Sequence, residues 1–168
     1  DNNLHLVCVG GGKFDDQENI YISKNNLENK LLQFNIDDKT LSYFYSNAKA
    51  FIFPSLYEGF GIPVLEAFAC GCPIICSNTS SLPEIASDAA VYFDPLDEKS
   101  IETAVFNVLN HQELSASMIE KGYKRLEYKY ISSSPLRNYL FLDVYLSHLK
   151  EEFYFHSAQL YNQAKFGL

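Results

Sequence analysis

The stretch from Pro54 to Gly71 brings two carboxylates, Glu58 and Glu66, into one segment with Gly59, Gly61 and a helix start. Upstream, Ala50-Phe51-Ile52-Phe53 is a short apolar run of the kind that forms a buried strand, and Pro54 ends it. Pro63 suits a first helical residue, because its missing N–H costs nothing there and its φ is already helical. Val64, Leu65, Ala67 and Phe68 supply an apolar face, and Gly71 followed by Pro73 reads as a helix stop. The glycines then sit in a strand-to-helix turn, where N–H groups at the positive end of a helix dipole make an anion site. The spacing puts Glu58 in the loop and Glu66 in the first helical turn. Two acids beside an anion site suit a ligand that carries phosphate and hydroxyls together, as a nucleotide sugar does. Its pyrophosphate takes N–H donors, and its sugar hydroxyls donate to carboxylates.

The elements that must hold this turn alternate along the chain. Strand-like runs fall at 4–9, 31–34, 50–53, 73–76 and 90–93, and helical patterns at 18–27, 38–47 and 100–109. Such alternation predicts an α/β fold, a Rossmann-like parallel sheet covered by helices, since parallel pairs need crossover connections. Ligands on such sheets bind beyond the carboxyl ends of the strands, where the Glu58 loop lies. From about residue 116 the pattern is helical, with a break near Ser132-Ser133-Ser134-Pro135. A domain over 1–132 and a C-terminal helical segment over 133–168 are expected.

Composition narrows the classes. At 168 residues and 47% hydrophobic, the chain can bury a core. Thirteen Lys plus Arg against 21 Asp plus Glu give a net charge of −8, which argues against a nucleic-acid partner. No apolar run reaches the length of a membrane span. The four cysteines, Cys8, Cys70, Cys72 and Cys76, lack the paired spacing of a zinc site and read as buried thiols, which fits a cytoplasmic protein. The four histidines are scattered, so no metal site is expected. Asn78-Thr79-Ser80 is a formal glycosylation sequon without meaning in the cytoplasm. Asp1 in place of an initiator Met suggests a fragment.

Each candidate also has a plain structural explanation. Gly10-Gly11-Gly12 alone is an ordinary turn. Glu58 in isolation reads as a solvated loop acid, Glu66 as an acid complementing a helix dipole, and Glu84 after Pro83 as a helix N-terminal acid.

The ordered string Glu58-Gly59-Phe60-Gly61-Ile62-Pro63-Val64-Leu65-Glu66-Ala67 resembles the donor-site signature of retaining GT-B glycosyltransferases of the Glu-x7-Glu type, the glycosyl transferases group 1. The resemblance runs over about residues 4–110. Leu6-Val7-Cys8-Val9-Gly10-Gly11-Gly12 looks like the family's second strand and glycine turn, and 31–38 like the next strand and base-side loop. Ser81-Leu82-Pro83-Glu84-Ile85 and Phe93-Asp94-Pro95-Leu96-Asp97 match segments that follow the signature.

The resemblance implies the C-terminal, donor-binding half of a GT-B fold, without its first strand–helix unit and ending in C-terminal helices. It implies a hexosyltransferase that uses a UDP- or GDP-linked sugar, such as mannose or glucose, with retention and without a metal or other cofactor. Glu58, Gly59, Phe60 and Gly61 would face the sugar, with Glu58 the catalytic group. The amides of Ile62 and Val64 would face the phosphates, and Glu66 the ribose. Asn35 and Ile36 would line the base through backbone contacts, although Asn35 stands where the family commonly has Gly. The acceptor, a glycan or lipid-linked sugar, would sit on an N-terminal domain outside this chain, so residues 1–168 alone should transfer nothing. Residue usage rich in Asn, Lys, Ile and Tyr suits a bacterial polysaccharide enzyme, cytoplasmic or peripheral at the inner membrane face. The alternative is a non-catalytic nucleotide-sugar-binding domain or a GT-B-shaped nucleotide-sugar epimerase; the Glu-Gly-Phe-Gly string favours the transferase.

Overall fold

The alternating apolar runs do become parallel strands joined by helices. A computed structural model describes residues 4–127, so the break at 132–135 and the segment 133–168 lie outside the described residues. The chain forms two compact units, divided between Leu41 and Ser42.

The first unit is a single strand–helix–strand crossover. β1 (Leu6–Val9) and β2 (Leu31–Phe34) pair in parallel with Leu6 opposite Leu31 and Val9 opposite Phe34. Between them runs α1 (Asp16–Lys24). It starts earlier than its apolar pattern suggests because Asp15 and Glu18 form a reciprocal capping box. The Asp15 carboxylate accepts the Glu18 N–H, and the Glu18 carboxylate accepts the Asp15 N–H, each at 2.8 Å. Gly10, Gly11 and Gly12 all have φ between +77° and +83°. That left-handed path returns the chain after β1 and is open to glycine at little cost.

The second unit holds β3 (Phe51–Phe53), β4 (Ile74–Ser77) and β5 (Ala90–Phe93) in the order β3-β4-β5, all parallel. The last six residues of α2 (Asp38–Asn47) lead into it. The crossovers are α3 (Ile62–Ala69) and α4 (Leu82–Ala86), the latter followed by a 3-10 turn over Ser87–Ala89. α5 (Glu98–Asn110) and α6 (Gln112–Arg125) complete it. Every residue of the central strand β4 is buried, as expected for a parallel strand covered on both faces. One core cluster gathers Ile75, Phe93, Ala104, Val108 and Met118, with Ile52, Val91 and Ile101 packed on its margin. The parallel, helix-flanked arrangement anticipated from the alternation is present in each unit, as a two-stranded and a three-stranded sheet.

Helix α3 carries the signature and is apolar around most of its circumference. Val64, Leu65, Ala67 and Phe68 are all buried. Each larger side chain contributes roughly 1.5–3 kcal/mol by leaving water. Its deep seating depends on α6, where Gly122 lies against the Phe68 ring.

Candidate functional site

Pro54 ends β3, and residues 54–61 form the loop that carries Glu58 to α3. Gly61 is the residue that makes the turn. It occupies the helix N-cap with φ 73° and ψ 42°, left-handed geometry where N-caps are ordinarily extended. A Cβ there would stand 3.2 Å from both Leu82 Cδ2 and Ile85 Cδ1. The left-handed φ and the close neighbours both favour glycine at this position. Gly61 is buried against α4.

The amides at the α3 N-terminus are not all available. The Gly61 N–H donates to Glu58 Oε1 at 3.2 Å, and the Val64 N–H donates to the Gly61 carbonyl at 3.0 Å. Pro63 has no N–H. Of the first-turn donors that a helix leaves unpaired, the Ile62 N–H is the one without a partner among the described residues, on a residue that is 50% exposed. The Val64 N–H, expected to face phosphate, closes the first turn on the Gly61 carbonyl in this structure, and its side chain is buried. Gly59 and Phe60 are exposed on the approach to the turn, and a Cβ on Gly59 would meet nothing within 4 Å.

Glu58 is half-buried and held at three points. Its carboxylate takes the Gly61 N–H, which uses one of about four acceptor positions on the two oxygens. Its backbone carbonyl accepts the Ser80 hydroxyl at 2.7 Å and the Ser81 hydroxyl at 2.8 Å, and its N–H reaches Ser80 Oγ at 3.3 Å. The same β4–α4 loop donates the Thr79 hydroxyl to the Ser55 carbonyl at 3.2 Å. At the end of β4, the Ser77 hydroxyl reaches the Phe53 carbonyl at 3.4 Å. Sequence reasoning missed this set of hydroxyls. The available signal is the hydroxyl-rich run Ser77-Asn78-Thr79-Ser80-Ser81, of which the sequon covers only 78–80.

Glu66 lies in the second turn of α3 rather than the first, because the helix begins at Ile62 and has no acid in its first turn. The simple role of complementing the dipole is weakened accordingly, since that effect falls off within a turn. Its half-buried carboxylate accepts the Tyr45 hydroxyl at 3.4 Å, a long contact. Tyr45 is buried and meets Phe51 edge to face, with ring centroids 5.1 Å apart. The second unit therefore brings Glu58, Gly59, Phe60, Gly61, Ile62 and Glu66 together at the carboxyl end of β3 and the first two turns of α3. Asn35, exposed, and Ile36, half-buried, follow β2 in the first unit.

The remaining polar chemistry is structural. Arg125 at the end of α6 donates through Nε to the Ile85 carbonyl at 3.1 Å and through a second nitrogen to the Glu84 carbonyl, so it caps the C-terminal end of α4. Glu84 opens that helix as an acid of its first turn, the plain role expected of it. Cys70, Cys72 and Cys76 are buried free thiols, and burial pushes them up to about 11, 12 and 12. Among the described residues no group of three or more His, Cys, Asp or Glu could hold a metal ion.

The chain is similar to the O-antigen chain mannosyltransferase B of Escherichia coli, at 46% identity over 74 residues, 44% of this chain and 19% of that protein. Its fold matches WaaG, a glycosyltransferase involved in lipopolysaccharide biosynthesis, with a TM-score of 0.69 and 18% identity over 82% of this chain and 37% of that one. It also matches Anabaena Alr3699/HepE in complex with UDP, with a TM-score of 0.64 and 15% identity over 74% of this chain and 36% of that one. The chain spans well under half the length of these proteins. The α/β architecture, parallel sheets flanked by helices, is the one found in GT-B glycosyltransferases. The family model described as glycosyl transferases group 1 matches residues 1–125, and the chain belongs to that family.

Proposed function

We propose that this chain is the nucleotide-sugar-binding part of a retaining glycosyltransferase, which moves a hexose from a UDP- or GDP-linked donor to a glycan or lipid-linked acceptor. The observation that carries the reading is the left-handed Gly61 turn, with the Ile62 N–H unpaired among the described residues at the head of α3 and Glu58 and Glu66 on either side. An N–H at the positive end of a helix suits a diphosphate, and carboxylates suit sugar hydroxyls. Glu58, Gly59, Phe60 and Gly61 face the hexose in this reading. The amides of Ile62 and Val64 at the head of α3 face the phosphates and Glu66 the ribose.

Charge on the departing diphosphate falls to the α3 N-terminus and to basic residues of the intact protein rather than to a metal ion. The Glu58 carboxylate holds hexose hydroxyls in the bound donor and, beyond that, favours the positive charge that develops on the sugar in the transition state. The similarity to an O-antigen mannosyltransferase and to a lipopolysaccharide glycosyltransferase supports transfer over epimerisation and points to bacterial surface polysaccharide. No helix among the described residues is long and apolar enough to cross a membrane. We assign the intact protein to the cytoplasmic face, where nucleotide sugars are at hand.

The test is calorimetric titration of the intact protein with a panel of UDP- and GDP-hexoses, followed by NMR of the product formed from the donor that binds. The reading requires one saturable donor and a product that keeps the donor's anomeric configuration. No binding across the panel, or an inverted product, overturns it.

A further inference from the structure

The hydroxyls of Ser80 and Ser81 converge on one backbone group. Both donate to the Glu58 carbonyl, at 2.7 and 2.8 Å, across 22 and 23 residues of sequence. Ser80 also accepts the Glu58 N–H at 3.3 Å, so a single hydroxyl grips both backbone polar groups of Glu58. Two features show that local structure does not require this arrangement. Ser80 has φ +55°, a left-handed conformation that costs a residue with a Cβ and persists where its surroundings impose it. Ser81 stands at the N-cap of α4, where serine ordinarily accepts an N–H of its own helix, yet it makes no side-chain cap bond. Its hydroxyl goes to Glu58 instead.

We propose that Ser80 and Ser81 are positioning residues that set the direction of the Glu58 carboxylate and, through it, the grip on the donor hexose. This rests on the donor-site reading given above. Residues 54–61 have no strand or helix of their own to fix them. With the Glu58 peptide clamped to the β4–α4 loop and Oε1 tied to the Gly61 N–H, the carboxylate has one defined direction. Neither serine needs to touch the donor.

Substitutions in the intact protein separate this role from simple support of the fold. Ser80→Gly removes a hydroxyl while leaving the left-handed backbone accessible, and Ser81→Ala removes the other without taking a cap from α4. Calorimetric titration is run with UDP-glucose and GDP-mannose, and with UDP and GDP alone. For whichever pair binds, Kd for the nucleotide sugar should rise about three- to tenfold for each hydroxyl lost, while Kd for the bare nucleotide changes by less than about twofold. Ser81→Thr, which keeps a hydroxyl, should restore nucleotide-sugar binding.

An unchanged nucleotide-sugar Kd, or an equal loss for sugar-linked and bare nucleotide, overturns the positioning role. Glu58→Ala distinguishes the two levels. If it weakens nucleotide-sugar binding and the serine variants do not, the donor site stands and the positioning role falls. If it too changes nothing, both fall together.

Discussion

A methyl group at Gly61 is the perturbation that the turn resists most directly. With φ at +73°, alanine would have to occupy the left-handed region, at about 1–2 kcal/mol. Its Cβ would stand 3.2 Å from Leu82 Cδ2 and Ile85 Cδ1. Those side chains are 0% and 4% exposed, so neither can swing into solvent, and overpacking a closed site adds about 1–2 kcal/mol. Gly61→Ala should therefore destabilise the second unit by about 2–4 kcal/mol, and Gly61→Val by more. Gly59 is the internal control. A Cβ on it meets nothing within 4 Å, so Gly59→Ala should stay within about 0.5 kcal/mol of the parent. Hydrogen exchange followed by peptide mass spectrometry reads both, as lost protection across α3 and α4. Equal protection in the two variants would refute the left-handed turn and its packing against α4.

Gly122 offers the same contrast inside a helix. Alanine is the better helix former by about 1 kcal/mol, but a Cβ at 122 would fall 2.5 Å from Cδ1 of the buried Phe68 ring. Gly122→Ala should lose a net 1–3 kcal/mol, roughly, in denaturant unfolding; any gain in stability sinks the account of α6 seated on α3. The thiols give a prediction in pH. Cys70 at about 11, and Cys72 and Cys76 at about 12, hold about a thousandth or less of thiolate at pH 8. Burial and the Glu18 carboxylate also raise Cys8, but it remains partly exposed. Peptide mapping after iodoacetamide at pH 8 should find Cys8 alkylated first and the other three only on unfolding. Alkylation of Cys70 in the folded protein as fast as Cys8 would contradict their burial.

What could be read from residues alone was whatever depends on near neighbours. α2 spans Asp38–Asn47 and β2 spans Leu31–Phe34, as their patterns require. The strand–turn–helix at 51–69 was legible because Pro54, Gly61 and Pro63 each constrain the backbone at a fixed place. The rest comes from contacts that spacing does not encode. Starting α3 at Ile62 moves Glu66 out of the first turn, and the Val64 N–H is claimed by the Gly61 carbonyl three residues back. The burial of Gly61 depends on Leu82 and Ile85, more than twenty residues away. The clamp on Glu58 by Ser80 and Ser81 is equally distant in sequence, and hydroxyl-rich runs look alike whether they face water or a neighbouring loop. The division at Leu41 and Ser42 falls inside a helix, where no change of composition marks it.

The central claim is that α3 and its preceding turn hold a nucleotide sugar, and Glu66 tests it most directly because its half-buried carboxylate lies in the second turn of α3, where its hydrogen bond from the Tyr45 hydroxyl is long, at 3.4 Å. A charge-assisted hydrogen bond to a ribose hydroxyl is worth about 1.5–3 kcal/mol, so Glu66→Ala should raise the nucleotide-sugar Kd about ten- to hundredfold. Tyr45→Phe removes the tyrosine hydroxyl from Glu66 and should change that Kd by less than about threefold. The measurement is calorimetric titration of both variants of the intact protein with the donor that the parent binds. A large loss for Glu66→Ala beside a small one for Tyr45→Phe is the result predicted. An unchanged Kd in Glu66→Ala would show that this carboxylate serves the helix and Tyr45 rather than a ligand, and would remove the donor from where the turn and α3 place it.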